Sequence, residues 1–584
     1  MTVRRIMGSE TEFGVLAQGQ PDANATVLST RVVTGYASWV ARRRSETVRA
    51  GAATHGAGPG GVVGTGWDYG SETPLADARG FTVAREDAHP SQLTDEAPEL
   101  TAEQIAAEAI SESALYTEDM DWRRVVMNTV IPNGARVYVD HSHPEYSSPE
   151  VTSPLDALTW DAAGDVVAHR AVQLLAEQAA GSGSAPVNLY KNNTDNKSVS
   201  YGAHENYTVD RAVPFERITA ALLPFFASRQ VLCGAGRVGL GVDGSRPGFQ
   251  LSQRADFFER TVGLETTIHR PMVNTRDEPH ADDSRYRRLH VIVGDANLSH
   301  TATLLKFGTT SLVLNLVEHD RVPDLELVDP VAALQAISHD PTLGATVALR
   351  DGRQLTGVAL QRAYLDACAE LERELAPEGL DEDTAQVLAL WDEVLTDLAA
   401  DPARLADRLD WAAKYALLNA YRTRDGLAWD DPRLVAIDLQ YADVRPDKGL
   451  HHRLVASGRM RTLVSAERIE AAADTPPADT RAYFRGTAVE RYPEAVAGVG
   501  WDTVNVTFPG IRRGARIAMP EPRDLTREAS EQWFAAPDAE QWARTVARHR
   551  PALVTGSDIG PPLSLIHISE PTRRTERSRM PSSA

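Results

Sequence analysis

Cysteine is almost missing. Cys233 and Cys368 are the only two in 584 residues, too few for a disulfide framework or a four-thiolate zinc site and suited to a reducing cytoplasm. No stretch reaches the roughly 18 apolar residues of a membrane-spanning helix, and Arg4 and Arg5 have no apolar segment behind them to serve as an export signal. Positive charge is in deficit too. Lys and Arg number 60 against 81 Asp and Glu, a formal net charge of -21, which opposes binding to nucleic acid or an anionic membrane, since either needs a basic face. The expectation is a cytoplasmic protein with neither kind of partner. Several catalytic signatures are also lacking: the G-x-x-x-x-G-K-S/T phosphate loop, the G-x-S-x-G elbow and the H-E-x-x-H helix. Gly234-Ala-Gly-Arg-Val-Gly239 fits G-x-G-x-x-G, but the following Leu240-Gly-Val-Asp-Gly-Ser-Arg-Pro-Gly cannot open the helix a dinucleotide site requires.

What remains is an ordinary globular composition, 42% hydrophobic and 24% charged, at a length that allows roughly two to four domains. Arg5 to Gly14 alternates as a strand, which places Glu10 and Glu12 on one face. Val27, Leu28, Val32, Val33, Tyr36, Trp39 and Val40 fit an amphipathic helix. From about 41 to 122 the text reads as one long, flexible insertion: glycine-rich over 50–66, then eleven acidic residues and no Lys or Arg between Glu86 and Asp121, with a possible capping box at Thr101 and Gln104. A strand then carries Arg136, Tyr138 and Asp140 on one face and Val137 and Val139 on the other. A helix is expected over about 155–178 and a helical layer over about 331–422. Pro476 and Pro477 mark a boundary between a large domain, 1–475, and a small C-terminal domain, 476–562. Leu563-Ser-Leu-Ile-His-Ile-Ser-Glu-Pro-Thr-Arg573 is similar to translated sequencing-adaptor DNA, so 563–584 are expected to be non-native.

Glu10, Glu12, Glu145 and Glu205, with His204, are hard oxygen and imidazole donors of the kind Mg²⁺ takes. Arg136, Arg254, Arg285, Arg287 and Arg288 suit phosphate or carboxylate, because a guanidinium donates two parallel bonds. Asp140 sits on a strand otherwise made of apolar residues, and an unpaired buried carboxylate is costly, so it must line a polar cavity or pair with an arginine such as Arg136. His141 and His143 could be ligands or bases, although two histidines at i, i+2 without a third convergent ligand are more often hydrogen-bonded loop residues.

Six blocks in order carry a resemblance: Gly8-Ser-Glu-Thr-Glu-Phe-Gly14, Gly134-Ala-Arg-Val-Tyr-Val-Asp-His-Ser-His-Pro-Glu-Tyr146, Tyr201-Gly-Ala-His-Glu-Asn-Tyr207, Phe249-Gln-Leu-Ser-Gln-Arg-Ala-Asp256, Arg285-Tyr-Arg-Arg-Leu-His-Val-Ile-Val-Gly-Asp-Ala-Asn297 and Asp479-Thr-Arg-Ala-Tyr-Phe-Arg-Gly486. The chain resembles the Pup ligase/deamidase family, carboxylate-amine ligase relatives of glutamine synthetase. The insertion with Trp67-Asp-Tyr, and the unbroken Asp140-His-Ser-His-Pro-Glu145, resemble its deamidase/depupylase branch rather than its ligases. The resemblance implies an α+β fold: a glutamine-synthetase-like curved antiparallel sheet packed with helices, plus the small C-terminal domain. It further implies Mg²⁺ and ATP as cofactors and Pup and pupylated proteins as partners, within the bacterial proteasome pathway. By motif position, Asp140 would be catalytic. Glu10, Glu12, Tyr138, Glu145, His204 and Glu205 would be at the metal, and Arg136, Trp411, Arg254 and Arg285 at the nucleotide. The implied reaction is deamidation of Pup's C-terminal glutamine and cleavage of Pup–lysine isopeptide bonds, with an ATP-consuming Pup–protein ligase as the alternative. Acidic Pup would need a locally basic groove, expected from Arg229, Arg237, Arg254 and Arg285.

Overall fold

In the computed structural model of the chain, residues 2–49, 65–95, 126–182, 185–195, 198–507 and 514–556 are described. Alternation along β1 (Met7–Glu12) has the consequence expected of it: Met7 packs into the core, and Glu10 and Glu12 turn to the other face. This strand lies inside a six-stranded sheet with β2 (Asn128–Val130), β3 (Arg136–Asp140), β4 (His143–Ser147), β5 (Ala203–Asp210) and β6 (Tyr286–Val291), in the order β6-β5-β1-β4-β3-β2. Every neighbouring pair is antiparallel.

Helices cover one face. Val137, Val139 and Tyr146 meet Val27, Leu28, Val32 and Tyr36 of α1 (Ala25–Arg49) and Ala163, Val167 and Leu175 of α2 (Pro154–Ser182). Met7, Tyr207, Leu289 and Val291 meet α3 (Phe215–Cys233) and α4 (His300–Glu318). Each such apolar side chain contributes about 1.5–3 kcal/mol when fully buried, so the register of this face is strongly specified, and with it the register of the opposite one. The expected helical layer is present as α5 (Pro330–Ser338), α6 (Gly357–Leu375), α7 (Glu382–Ala400) and α8 (Asp410–Asp425), interrupted by a ribbon of Thr346–Ala348 and Gln354–Thr356. After Cys233 the chain enters the strand Arg237–Leu240 and no helix opens at Gly239, in keeping with the rejected dinucleotide reading.

A second sheet, β7 (Val496–Val499), β8 (Thr503–Val506), β9 (Ala515–Ala518) and β10 (Val554–Thr555), has its own core around Phe484, Trp533, Phe534 and Trp542. Its fifth strand is Gly66–Trp67, paired parallel to β7. The flexible insertion expected over 41–122 therefore needs correction in part: α1 runs on to Arg49, and residues 65–95 are built into the fold because Trp67 and the backbone on either side of it find partners in the second sheet. The glycine-rich and acidic stretches, 51–64 and 96–125, lie outside the described residues, as does the tail from 557. Among the described residues no helix is long and apolar enough to cross a membrane.

Candidate active site

The helix-free face of the six-stranded sheet floors a cleft of about 540 Å³. Strand register lays out its polar groups in two rows. Tyr138 faces Glu145, which faces Glu12; in the next row Arg136 faces Ser147, which faces Glu10, which faces His204. A tight turn joins β3 to β4, with His141 at φ 50°, the positive value that the twist of a two-residue hairpin favours. Ser29 of α1 donates to the Ser142 carbonyl at 2.8 Å and steadies this turn.

Glu12, Asp140 and Glu145 bring one oxygen each within 4.8 Å of one another. Burial, then the charges of Asp140, Glu10 and Glu12, push the Glu145 carboxyl well above the usual carboxylate range. Its partners are hydroxyls: Tyr138 donates at 2.5 Å and Ser147 at 3.1 Å. Burial would raise Asp140 as well, but the hydrogen bond and charge of His141, with Nδ1 at 3.1 Å, hold it below its ordinary value. Asp140 in turn raises His141 to about 9. Glu12 accepts the Gly202 N–H at 2.7 Å and has His143 Nδ1 at 3.3 Å. A Cβ on Gly202 would come to 2.5 Å from Glu12 Oε1, so only glycine lets the backbone approach this carboxylate.

A second donor set is Glu10, His204 and His290, again within 4.8 Å. His204 Nδ1 lies 3.1 Å and His290 Nε2 3.5 Å from Glu10 Oε2. Burial opposes ionisation of Glu10, yet the two imidazoles hold it well below the carboxylate range, while burial drives His290 down to about 3. Repelling carboxylates beside imidazoles with lone pairs are what a divalent cation would neutralise, so both sets fit Mg²⁺ in donor chemistry.

Arg136 completes the site. Its guanidinium carbon lies 3.8 Å from the Tyr138 ring centroid and 4.1 Å from that of Trp67, and its Nε donates to Asn128 at 3.0 Å. Among the described residues no carboxylate pairs with it, which leaves both terminal nitrogens for an anionic ligand.

The structure thus brings together Glu10, Glu12, Arg136, Tyr138, Asp140, Glu145 and His204. Four expected site residues lie elsewhere. Glu205 follows His204 directly and so takes the opposite, core face, where Arg229 grips both its oxygens at 2.7 and 2.8 Å; it is corrected from metal ligand to ion-pair partner. Arg254 is buried and donates to the carbonyls of Ile292 and Gly294 at 2.5 and 3.1 Å. Trp411, at the start of α8, is buried in the main core with Nε1 donating to the Val231 carbonyl at 3.0 Å. Arg285 precedes the edge strand β6 and pairs with Glu521 at 2.8 Å, away from the cleft. The four arginines expected to form a basic groove do not form one: Arg229, Arg254 and Arg285 are engaged as described, and Arg237 is buried and bonded to the carbonyls of Gly241 and Val242. Arg288, one of the arginines suited to an anion, also lines the cleft, whereas sequence reasoning missed His290 and Glu278 there. Alternation in β6 places Arg288 and His290 on one face and was the available signal. Glu72, also in the cleft, comes from the insertion, for which no periodicity spoke.

The chain matches the family described as Pup-ligase protein over residues 5–505. It is 47% identical over 526 residues to the depupylase of Acidothermus cellulolyticus, covering 90% of this chain and 95% of that protein. To the Pup–protein ligase of Micrococcus luteus it is 40% identical over 431 residues, covering 72% and 91%. Its structure is similar to that of the Pup ligase PafA in complex with Pup, with TM-score 0.67, 29% identity and coverage of 91% and 93%. It is also similar to PafA in complex with ADP, with TM-score 0.63, 33% identity and coverage of 75% and 94%.

Proposed function

Since the chain belongs to the Pup-ligase protein family, we propose that it is a cytoplasmic Pup deamidase and depupylase on a glutamine-synthetase-like sheet, with Mg-ATP as a bound cofactor. The observation that carries the reading is Asp140. It is held ionised by His141 at one end of a carboxylate cluster, while the uncommitted Arg136 lies on the same strand face. Greater identity and coverage with a depupylase than with a ligase support hydrolysis over ligation. The likeness to a ligase holding ADP supports a nucleotide.

When bound, Mg²⁺ with nucleotide supplies positive charge beside the carboxylates and the developing oxyanion. Glu10, His204 and His290 would form one place for the ion, Glu12 and Glu145 another, and Arg136 would take the phosphate. Asp140 then acts on the side-chain amide of Pup's terminal glutamine, either as nucleophile or as general base to a water. The C–N bond breaks, water supplies hydroxyl to the carbonyl carbon and a proton to nitrogen, and ammonia leaves. With an isopeptide the leaving group is the substrate lysine amine. Both routes use the same carboxylate, and detection of an aspartyl-linked Pup intermediate distinguishes them. The division at about residue 475, with the second sheet as a small C-terminal domain, belongs to the same reading.

The test is to give the purified protein Pup ending in glutamine, and separately a pupylated substrate, with Mg-ATP. Asp140→Asn should abolish both ammonia release and substrate release while retaining Mg-ADP binding. Undiminished turnover in that variant would remove Asp140 from the mechanism.

A further inference from the structure

Arg136 is gripped by an aromatic ring from outside its own sheet. Trp67 lies in the inserted segment, and Asp68 beside it is clamped by the second sheet. The Asp68 Oδ2 atom accepts from Thr503, Asn505 and Arg516, each at 2.9 Å. The Asp68 N–H donates to the Val499 carbonyl at 2.9 Å. Trp67 itself meets Trp501 edge-on at 5.2 Å and donates from Nε1 to Glu72 at 2.9 Å. Tyr69 accepts from Asn128 at 2.9 Å, and the same Asn128 accepts from Arg136. A continuous set of contacts therefore runs from Arg516 on the second sheet to the guanidinium in the cleft.

Two aromatic rings against one guanidinium, with centroids 3.8 and 4.1 Å from its carbon, attract the cation and restrict the rotamers open to it. What is left are its in-plane donors, aimed into the cleft before any ligand arrives, which lowers the ordering cost of binding. We infer that Trp67 is a positioning residue for Arg136, with Asp68 and Arg516 holding it, so that the second sheet sets the affinity of the cleft for the nucleotide phosphate. This deepens the proposed function and rests on Arg136 facing nucleotide.

The experiment measures Mg-ADP affinity by calorimetry and, for Pup ending in glutamine, the KM for Mg-ATP and kcat, on the full chain. Trp67→Ala should weaken Mg-ADP and raise the nucleotide KM about tenfold, with kcat at saturating nucleotide and Pup affinity held. Trp67→Phe should restore most of the affinity because a ring face remains. Arg516→Ala should reproduce part of the loss and add little to Trp67→Ala. Folded Trp67→Ala protein with unchanged nucleotide affinity, or equal impairment in Trp67→Phe, overturns the inference. If Trp67→Ala does not fold, folded Arg516→Ala with unchanged affinity overturns it. Arg136→Ala separates the levels: if it too leaves Mg-ADP binding unchanged, the nucleotide reading of Arg136 falls and this inference with it. A loss in Arg136→Ala and none in Trp67→Ala sinks the positioning role alone.

Discussion

Arg136 and Arg229 show how one residue type is used in opposite ways on the two faces of one sheet. Arg229 is buried and neutralises Glu205 bidentately, whereas Arg136 has aromatic faces and an amide but no acid. Removing one member of a buried ion pair leaves the other charge uncompensated, at a cost of about 3–5 kcal/mol. Glu205→Gln should therefore lower unfolding stability by about that amount and leave Mg-nucleotide affinity intact; the reverse pattern in paired denaturation and calorimetry experiments would restore Glu205 to the metal site. Arg136→Lys keeps the charge but loses the flat fork, so Mg-ADP affinity should fall about tenfold, and calorimetry showing no loss would contradict a phosphate contact. Glu10, Glu12 and Asp140 were legible because strand alternation locates them without any tertiary information. The same alternation, applied to His204 and Glu205, would have separated them. Trp411 and Arg254 were not legible, because helix packing and backbone carbonyl partners decide their place and neither leaves a local pattern.

At the scale of elements, the hairpin β3–β4 supplies Arg136, Tyr138, Asp140 and Glu145 to the cleft, and the chain just beyond it carries the joint to the second sheet. Glu150 is bound by Arg481 at 2.8 Å and by Arg485. Burial alone would raise its carboxyl, yet the two arginines bring it from 4.5 down to about 2. A depressed pKa stabilises the fold fully above the unfolded value and is lost as pH falls through the folded one, here between 4.5 and about 2. The shift corresponds to about 3 kcal/mol. Glu150→Gln should accordingly be about 3 kcal/mol less stable at neutral pH, with the gap to the unaltered protein closing in acid. Denaturation curves giving a pH-independent gap would refute the assignment. Helix α2 and strand β3 were readable from periodicity, but the strand Gly66–Trp67 was not: two residues carry no period, and their partner lies more than four hundred residues away in sequence.

For the whole molecule, the α+β architecture follows from antiparallel strands with one helix-covered face, and the second sheet's own core, separate from those under the helices, makes a second structural centre in one chain. A formal charge of -21 means that acidic partners must be met by local basic groups rather than by a general positive field. The account's central claim is that this cleft hydrolyses amide bonds without spending nucleotide in proportion. The most direct measurement follows Pup mass and ADP together during turnover of Pup ending in glutamine with Mg-ATP, beside Asp140→Asn. Conversion of the terminal glutamine to glutamate, without matching ADP and absent in the variant, is the predicted result; ADP formed in step with new Pup–lysine conjugates would contradict it and make the protein a ligase.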